Sequence, residues 1–200
     1  MIAILAAGLL LGSAESAVSL PVHIGGRTAP TPDGSQNFGW PGVYFEARFR
    51  GTAVRVRFDA PTDHLRLSID GKEHRVFRAP GTVDVVIDGL SPGEHRVRLE
   101  KLTESQYGSS RFIGFEAPGG TPLPPQPRKR QIEFIGDSFP VGYGNTSPSV
   151  MCTPQQVHAL TDTRQAFGPL VASAIGADYR IHAYSGFGMV RNYDGNVPDQ

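Results

Sequence analysis

Val43-Tyr44-Phe45-Glu46-Ala47-Arg48-Phe49-Arg50-Gly51-Thr52-Ala53-Val54-Arg55-Val56-Arg57-Phe58-Asp59 decides how most of this chain is read. Val43, Phe45, Ala47 and Phe49 fall on one face of an extended segment. After Gly51-Thr52, Val54, Val56 and Phe58 face one way and Arg55 and Arg57 the other. A period of two is the signature of a half-buried strand. The same alternation continues through Leu65-Arg66-Leu67-Ser68-Ile69, and Asp70-Gly71 then predicts a tight hairpin turn into Glu73–Arg78. Strands are also expected over 82–87, 95–102 and 111–115, with Asp88-Gly89-Leu90-Ser91-Pro92-Gly93 breaking the first two. About seven strands at this spacing predict an all-β sandwich over residues 22–118. The arginines on the polar strand faces are expected to point into solvent.

Outward from this unit the chain changes character. Ile2–Leu11 is apolar apart from Gly8, and small residues follow it. This reads as a signal peptide over 1–17, cut between Ala14 and Ala17, although no lysine or arginine precedes the run. A secreted or periplasmic protein is expected, and the run is too short to span a bilayer. Residues 119–130, with Pro122, Pro124, Pro125 and Pro127, read as an extended linker, since proline offers no amide to a ladder. From residue 131 the period shifts. Gln131–Gly136 reads as a strand, Asp162–Ile175 as a helix capped by Asp162 and stopped by Gly176, and Tyr179–Tyr184 as a second strand. Pro169 predicts a kink or a delayed helix start. Strand, loop, helix, strand is the opening of an α/β unit with a parallel sheet.

Composition narrows the chemistry. Lysine plus arginine equal aspartate plus glutamate at 19 each, so the net charge is zero. That argues against a nucleic-acid partner or a polybasic membrane contact and is compatible with a neutral substrate. A single cysteine, Cys152, can form neither an internal disulfide nor a cysteine zinc cluster. It reads as a small half-buried residue or as the partner of a cysteine outside this sequence. No zinc or calcium ligand spacing is visible, and no metal or cofactor is expected.

Strand 131–136 ends in Gly136-Asp137-Ser138. A serine just past the carboxyl end of a parallel strand sits where ligands bind in open α/β sheets, and amides there suit a developing negative charge. The same three letters also suit an ordinary helix-capping serine. Tyr184-Ser185-Gly186-Phe187-Gly188 follows the second strand. Because parallel strands end at one edge, Gly186 is expected near Ser138, with its amide unobstructed by a side chain; a plain glycine turn is the alternative.

Gly136-Asp137-Ser138, Gly142-Tyr143-Gly144-Asn145, Tyr184-Ser185-Gly186-Phe187-Gly188 and Arg191-Asn192-Tyr193-Asp194-Gly195, taken in that order, resemble the carbohydrate esterases of family two, within the SGNH hydrolases. Phe38-Gly39-Trp40-Pro41-Gly42 and Phe49-Arg50-Gly51-Thr52 are similar to that family's amino-terminal jelly-roll module. Phe139-Pro140-Val141 stands where the family often carries Ile-Thr. The resemblance implies a jelly-roll sandwich followed by the first part of an SGNH-type three-layer α/β domain over 131–200. It implies Ser138 as nucleophile, with its own amide and that of Gly186 in the oxyanion hole. Beside these, Asp137, Tyr143, Asn145 and Asn192 are candidates for substrate contact; loop packing is the alternative for Tyr143 and Asn145, and holding the loop around Gly186 that for Asn192. The implied activity is removal of acetyl groups from acetylated oligo- or polysaccharide of the plant cell wall; a monomer is expected, though no residue pattern marks the oligomeric state. A carbohydrate-binding protein and a lipase or thioesterase on the same scaffold are the rival readings.

In the family the third oxyanion donor is an asparagine and the base a histidine, both in blocks later than those matched here. Of the histidines present, His158 is expected in the loop before the helix and His182 within a strand; His23, His64, His74 and His95 belong to the sandwich. A serine hydrolase without its base loses roughly 10⁴-fold or more in rate. Residues 1–200 assayed alone on an aryl acetate are therefore expected to be nearly inactive, and a substantial rate would contradict this reading.

Overall fold

The structure, a computed structural model, describes residues 17–195; the expected export segment, Ala17 apart, lies outside them. In chain order the strands are β1 (Ala17–Ser19), β2 (Val22–Gly25), β3 (Thr28–Pro30), β4 (Gln36–Phe38), β5 (Tyr44–Gly51), β6 (Val54–Ala60), β7 (His64–Ile69), β8 (Lys72–Arg78), β9 (Gly81–Ile87), β10 (Gly93–Lys101), β11 (Ser110–Pro118), β12 (Thr121–Leu123), β13 (Arg130–Gly136) and β14 (Ala177–Ala183). The helices are α1 (Ser138–Val141), α2 (Pro154–Leu160) and α3 (Phe167–Ala174), with a 3₁₀ turn over Thr163–Gln165 between the last two. The chain is mostly β-sheet with little helix.

Two six-stranded antiparallel sheets make up the larger part. One runs β3-β4-β11-β6-β9 with β1 added to β11; the other runs β12-β5-β10-β7-β8 with β2 added to β5. Alternation places Val54, Val56 and Phe58 of one sheet opposite Phe45, Phe49, Leu67 and Leu99 of the other, all at most 1% exposed. Phe45 and Phe112 stack across the gap with centroids 4.0 Å apart. The β7–β8 turn has Asp70 at φ 52° and Gly71 at φ 77°, the left-handed pair that a two-residue hairpin demands.

Expectations for the linker and for the polar strand faces need correction. Thr121–Leu123, read as linker, is a strand on β5, with Pro122 opposite Phe49. A proline is tolerated there because β12 lies at a sheet edge. The polar face of β5 and β10 is also not solvated throughout. Tyr44, Glu46 and Glu100 are buried, and the Arg98 guanidinium lies 3.6 Å above the Tyr44 ring centroid while donating to Glu100 at 2.7 Å and to the Tyr179 hydroxyl at 2.9 Å. Glu100 also accepts from that hydroxyl. What covers this face is the third sheet, a parallel pair of β13 and β14, with the helices packed on it. Tyr44 joins Val141, Ala172, Tyr179 and Ile181 in a second apolar cluster. Arg66 reaches Asp162 at 2.6 Å, and Arg128 bridges Glu46 at 3.2 Å and Asp178 at 3.0 Å. These charges pair across the junction, so they can be buried without being stranded.

The rear helix is shorter than expected. Asp162 caps the 3₁₀ turn through the Arg164 amide, and α3 starts only at Phe167, which leaves Pro169 in the first turn where its missing amide is harmless. Gly176 ends the segment at φ 63°.

The carboxyl-side end of β10 is pinned by a buried ion pair. Lys101 donates to Asp63, both side chains fully buried, and to the Glu104 carbonyl at 2.7 Å. Asp63 also accepts from Thr103 at 2.8 Å and Ser110 at 2.7 Å. Lys101→Met would leave the carboxylate buried without its counter-charge. A loss of about 3–5 kcal/mol is expected, read as a lower urea midpoint at unchanged slope.

Candidate active site

β13 and β14 pair in parallel register from Arg130 opposite Ala177 to Gly136 opposite Ala183, so both strands stop at the same edge. The Tyr184 amide then donates to the Gly136 carbonyl at 3.2 Å. From that edge the two chain segments diverge into the turns that carry the candidate residues.

On the β13 side, Asp137 is the N-cap of α1 and accepts from the Phe139 amide at 3.3 Å. Ser138 is the first helical residue and Pro140 the third. Gly136 is what admits this proline: a Cβ on Gly136 would lie 2.8 Å from Pro140 Cγ. Gly142 closes the turn at φ 78°, its amide donating to the Ser138 carbonyl at 3.0 Å. On the β14 side, Phe187 donates to the Tyr184 carbonyl at 3.1 Å and Tyr193 to the Gly186 carbonyl at 2.7 Å. Gly186 sits at φ 87°, where a side chain would be strained. Asn192 Oδ1 accepts from the Gly188 amide at 3.2 Å.

The two turns enclose one cavity of ≈ 660 Å³. Ser138 and Gly186 both line it, and so do Asp137, Tyr143 and Asn192. Among the described residues, neither the Ser138 nor the Gly186 amide donates to any acceptor, and the Ser138 hydroxyl has no hydrogen-bond partner. A serine with an unpaired hydroxyl and two residues with unpaired amides thus line one cavity, a combination compatible with acyl transfer.

Asn145 is not brought into this cavity. Its amide nitrogen donates to the Asp162 carbonyl and its oxygen accepts from the Asp162 amide, each at 3.0 Å. Both ends of the side chain therefore hold the 142–145 loop to the segment before α3. Gln106, Ser185, Phe187 and Tyr193 line the cavity without having been singled out from sequence. The last three sit inside motifs that were. Gln106 comes from the two-sheet unit, and no local pattern marks it.

The histidines have other work. His158 lies within α2, not in a loop before it; its Nε2 meets the Thr62 carbonyl at 2.9 Å, and its ring packs on Tyr107 at 4.1 Å. His64 beside it is pushed down to about 4 by burial and then by His158, which keeps it neutral. His182 is in β14, with its ring 5.7 Å from that of Trp40. His95 is held between Asp70 and the Ser91 carbonyl, both at 2.7 Å. None of these lines the Ser138 cavity. Cys152 is free and partly exposed. A somewhat larger cleft, ≈ 710 Å³, lies at the junction of the sheets. Its wall includes the paired charges Arg66, Arg98, Glu100 and Arg128.

Residues 24–127 match the family described as "Carbohydrate esterase 2 N-terminal". The chain is 51% identical to an acetylxylan esterase / glucomannan deacetylase of Cellvibrio japonicus (strain Ueda107), an alignment that covers 98% of this chain and 57% of that protein. It is 32% identical to the cellulase/esterase CelE of Acetivibrio thermocellus, over 78% of this chain and 19% of that one. Among solved structures, a carbohydrate esterase whose active site displays divergent catalytic and non-catalytic binding functions superposes with a TM-score of 0.82 at 50% identity, covering 91% of this chain and 55% of its own. A family two carbohydrate esterase from Clostridium thermocellum in complex with cellohexaose gives 0.76 at 30% identity, over 88% and 55%. The chain thus spans just over half the length of its Cellvibrio relative and of these two structures.

Asn145→Ala removes two hydrogen bonds and leaves the Asp162 amide without its acceptor, while the Asp162 carbonyl keeps the Gln165 amide. It is expected to lower stability by about 1–3 kcal/mol, measured by denaturant unfolding, with no change in ligand affinity at the cavity beyond what that loss of folded protein explains.

Proposed function

The chain belongs to carbohydrate esterase family two, and from that premise we propose that the whole protein removes acetyl groups from sugar hydroxyls of plant cell-wall polysaccharide. The observation that carries this reading is the single cavity shared by the Ser138 hydroxyl and the free amides of Ser138 and Gly186. We read the two-sheet unit, 22–118, as the jelly-roll module, 119–130 as the connection, and 131–200 as the opening of an SGNH-type hydrolase domain.

In this reading the Ser138 oxygen attacks the acetyl carbonyl. As the carbonyl carbon becomes tetrahedral, its oxygen gains negative charge and turns to the amides of Ser138 and Gly186, which are already in place and need no reorganisation. The histidine that the family supplies from a later block takes the serine proton and returns it to the departing sugar hydroxyl. Water, deprotonated by the same base, then attacks the acetyl-serine, releasing acetate and restoring the hydroxyl. Asp137 holds the first turn of α1 so that Ser138 is presented at its start. Asn192 holds the Gly188 amide and with it the far side of the Gly186 turn. Tyr143, 48% exposed, and Tyr193, 83% exposed, offer rings at the cavity for a sugar face, which suits an acetylated oligo- or polysaccharide.

Two further parts of the reading concern setting. No helix among the described residues is long and apolar enough to cross a membrane. With the expected export signal and a polymeric substrate, we place the protein outside the cytoplasm, secreted or periplasmic, as a monomer acting without a metal or organic cofactor. The exposed aromatic rim also suits glycan binding without hydrolysis, as a carbohydrate-binding protein would show.

In the whole protein, Ser138→Ala is expected to lower turnover of acetylated xylan and of an aryl acetate by roughly 10⁴-fold or more while leaving the circular dichroism spectrum and oligosaccharide binding in place. Unchanged turnover in that variant would remove Ser138 from the mechanism. Glycan binding without hydrolysis by the unmodified protein would favour the binding reading, and faster cleavage of long-acyl than of acetyl esters the lipase or thioesterase one.

A further inference from the structure

Behind the cavity, on the side of the two-sheet unit, stands a carboxyl group that the reaction above does not use. Glu104 follows β10 and is 1% exposed. Both of its carboxyl oxygens are sealed from solvent, and among the described residues no donor meets either one at ordinary hydrogen-bond geometry. Buried carboxyls are costly in that condition and rare without a reason. The Ser185 hydroxyl oxygen is in the same condition, sealed and without a formed partner.

These two groups are neighbours. The Ser185 hydroxyl and the Gln106 side chain are the donors beside the Glu104 carboxyl; burial pushes that carboxyl up, and Ser185, Gln106 and the Lys101 ammonium pull it back by less. Ser185 and Gln106 both line the cavity that holds Ser138, and Ser185 is the residue before Gly186. The backbone at Glu104 is also anchored. Its carbonyl accepts from Lys101 at 2.7 Å, and Lys101 is tied to Asp63, which holds Thr103 and Ser110. A side chain rooted in the core of the two-sheet unit therefore reaches the turn that carries the oxyanion donor.

We propose that Glu104 is a positioning residue of the esterase site: its carboxyl receives the Ser185 hydroxyl and so sets the Tyr184–Gly188 turn in which the Gly186 amide awaits the oxyanion. The proposal rests on the esterase reading of Ser138 and Gly186. Hydrogen bonds that position a catalytic turn are often long until the reacting complex forms. Such positioning makes the two-sheet unit part of the site and not only its support.

The test uses the whole protein, with Glu104→Ala, Glu104→Gln, Ser185→Ala and the Glu104→Ala/Ser185→Ala pair. An aryl acetate is the probe, and amide hydrogen exchange is followed over residues 184–188. Each alanine variant is expected to lose about 10- to 100-fold in kcat with KM within about threefold, and the double variant no more than either single one. Glu104→Gln keeps an acceptor for Ser185 and should retain most of the rate. Exchange over 184–188 should quicken in Glu104→Ala while β5 and β10 stay protected. Multiplicative losses in the double variant, equal losses for Gln and Ala, or unchanged exchange at the turn would each overturn the proposal. Should Glu104→Ala fail to fold, Ser185→Ala must show the kcat loss and quicker exchange while Glu104→Gln shows neither; any other result counts against it. Because exchange is read without turnover, an inactive wild type would sink the esterase reading and leave the positioning of the turn to be judged by exchange alone.

Discussion

The candidate site depends on one constraint, the parallel register that sets Gly136 level with Ala183. Parallel strands in register end together, so whatever follows them emerges at a common edge. A slip of one residue would reverse which side chains of β14 face the two-sheet unit, taking Tyr179 and Ile181 out of the junction. Register and site are therefore held by the same packing, since the residues that lock β14 against Tyr44 also determine where Gly186 emerges.

The junction that locks it is unusual in being polar. The face of β5 and β10 turned toward β14 carries Glu46, Arg98 and Glu100; the two carboxylates, Tyr44 and Tyr179 are buried there, and the half-buried Arg98 and Arg128 pair with them. Burial pushes the Tyr44 and Tyr179 hydroxyls up, helped by the carboxylates of Asp178 and Glu100, so both remain protonated donors. An apolar face would stick to many surfaces, whereas a face of fixed donors and acceptors accepts only a partner that satisfies it. That gives the two-sheet unit and the α/β segment one relative placement, which a site assembled from both needs.

In the site itself the decisive contrast is between polar groups that are satisfied and those that are not. The carbonyls of Ser138 and Gly186 accept from Gly142 and Tyr193 and keep the turns rigid, while the amides of the same two residues have no acceptor among the described residues. Asn145, drawn into the site by its motif, belongs to the satisfied class through Asp162. Glu104 belongs to the other. It lies well before Ser138 in sequence, in the two-sheet unit, whose role seemed only structural.

How much of this was legible beforehand follows from the range of the signals. Alternation and turn chemistry are local, so the strands from Tyr44 to Pro118, the Asp70-Gly71 hairpin and the strand–helix–strand order from Arg130 to Ala183 could be read from the sequence by itself. So could the meeting of Ser138 and Gly186 at one cavity, because each lies just past the end of a strand and parallel strands share an edge. The short strands β1 to β4 and β12 escaped notice because three or four residues are too few to show a period, and β12 contains a proline. The pairing of Arg98 with the buried Glu100, the placement of Gln106 at the cavity with Glu104 behind it and the diversion of Asn145 to Asp162 were decided only by the tertiary structure. Each depends on which surface covers a residue, and a strand's pattern records that one face is polar but not whether water or another sheet lies against it.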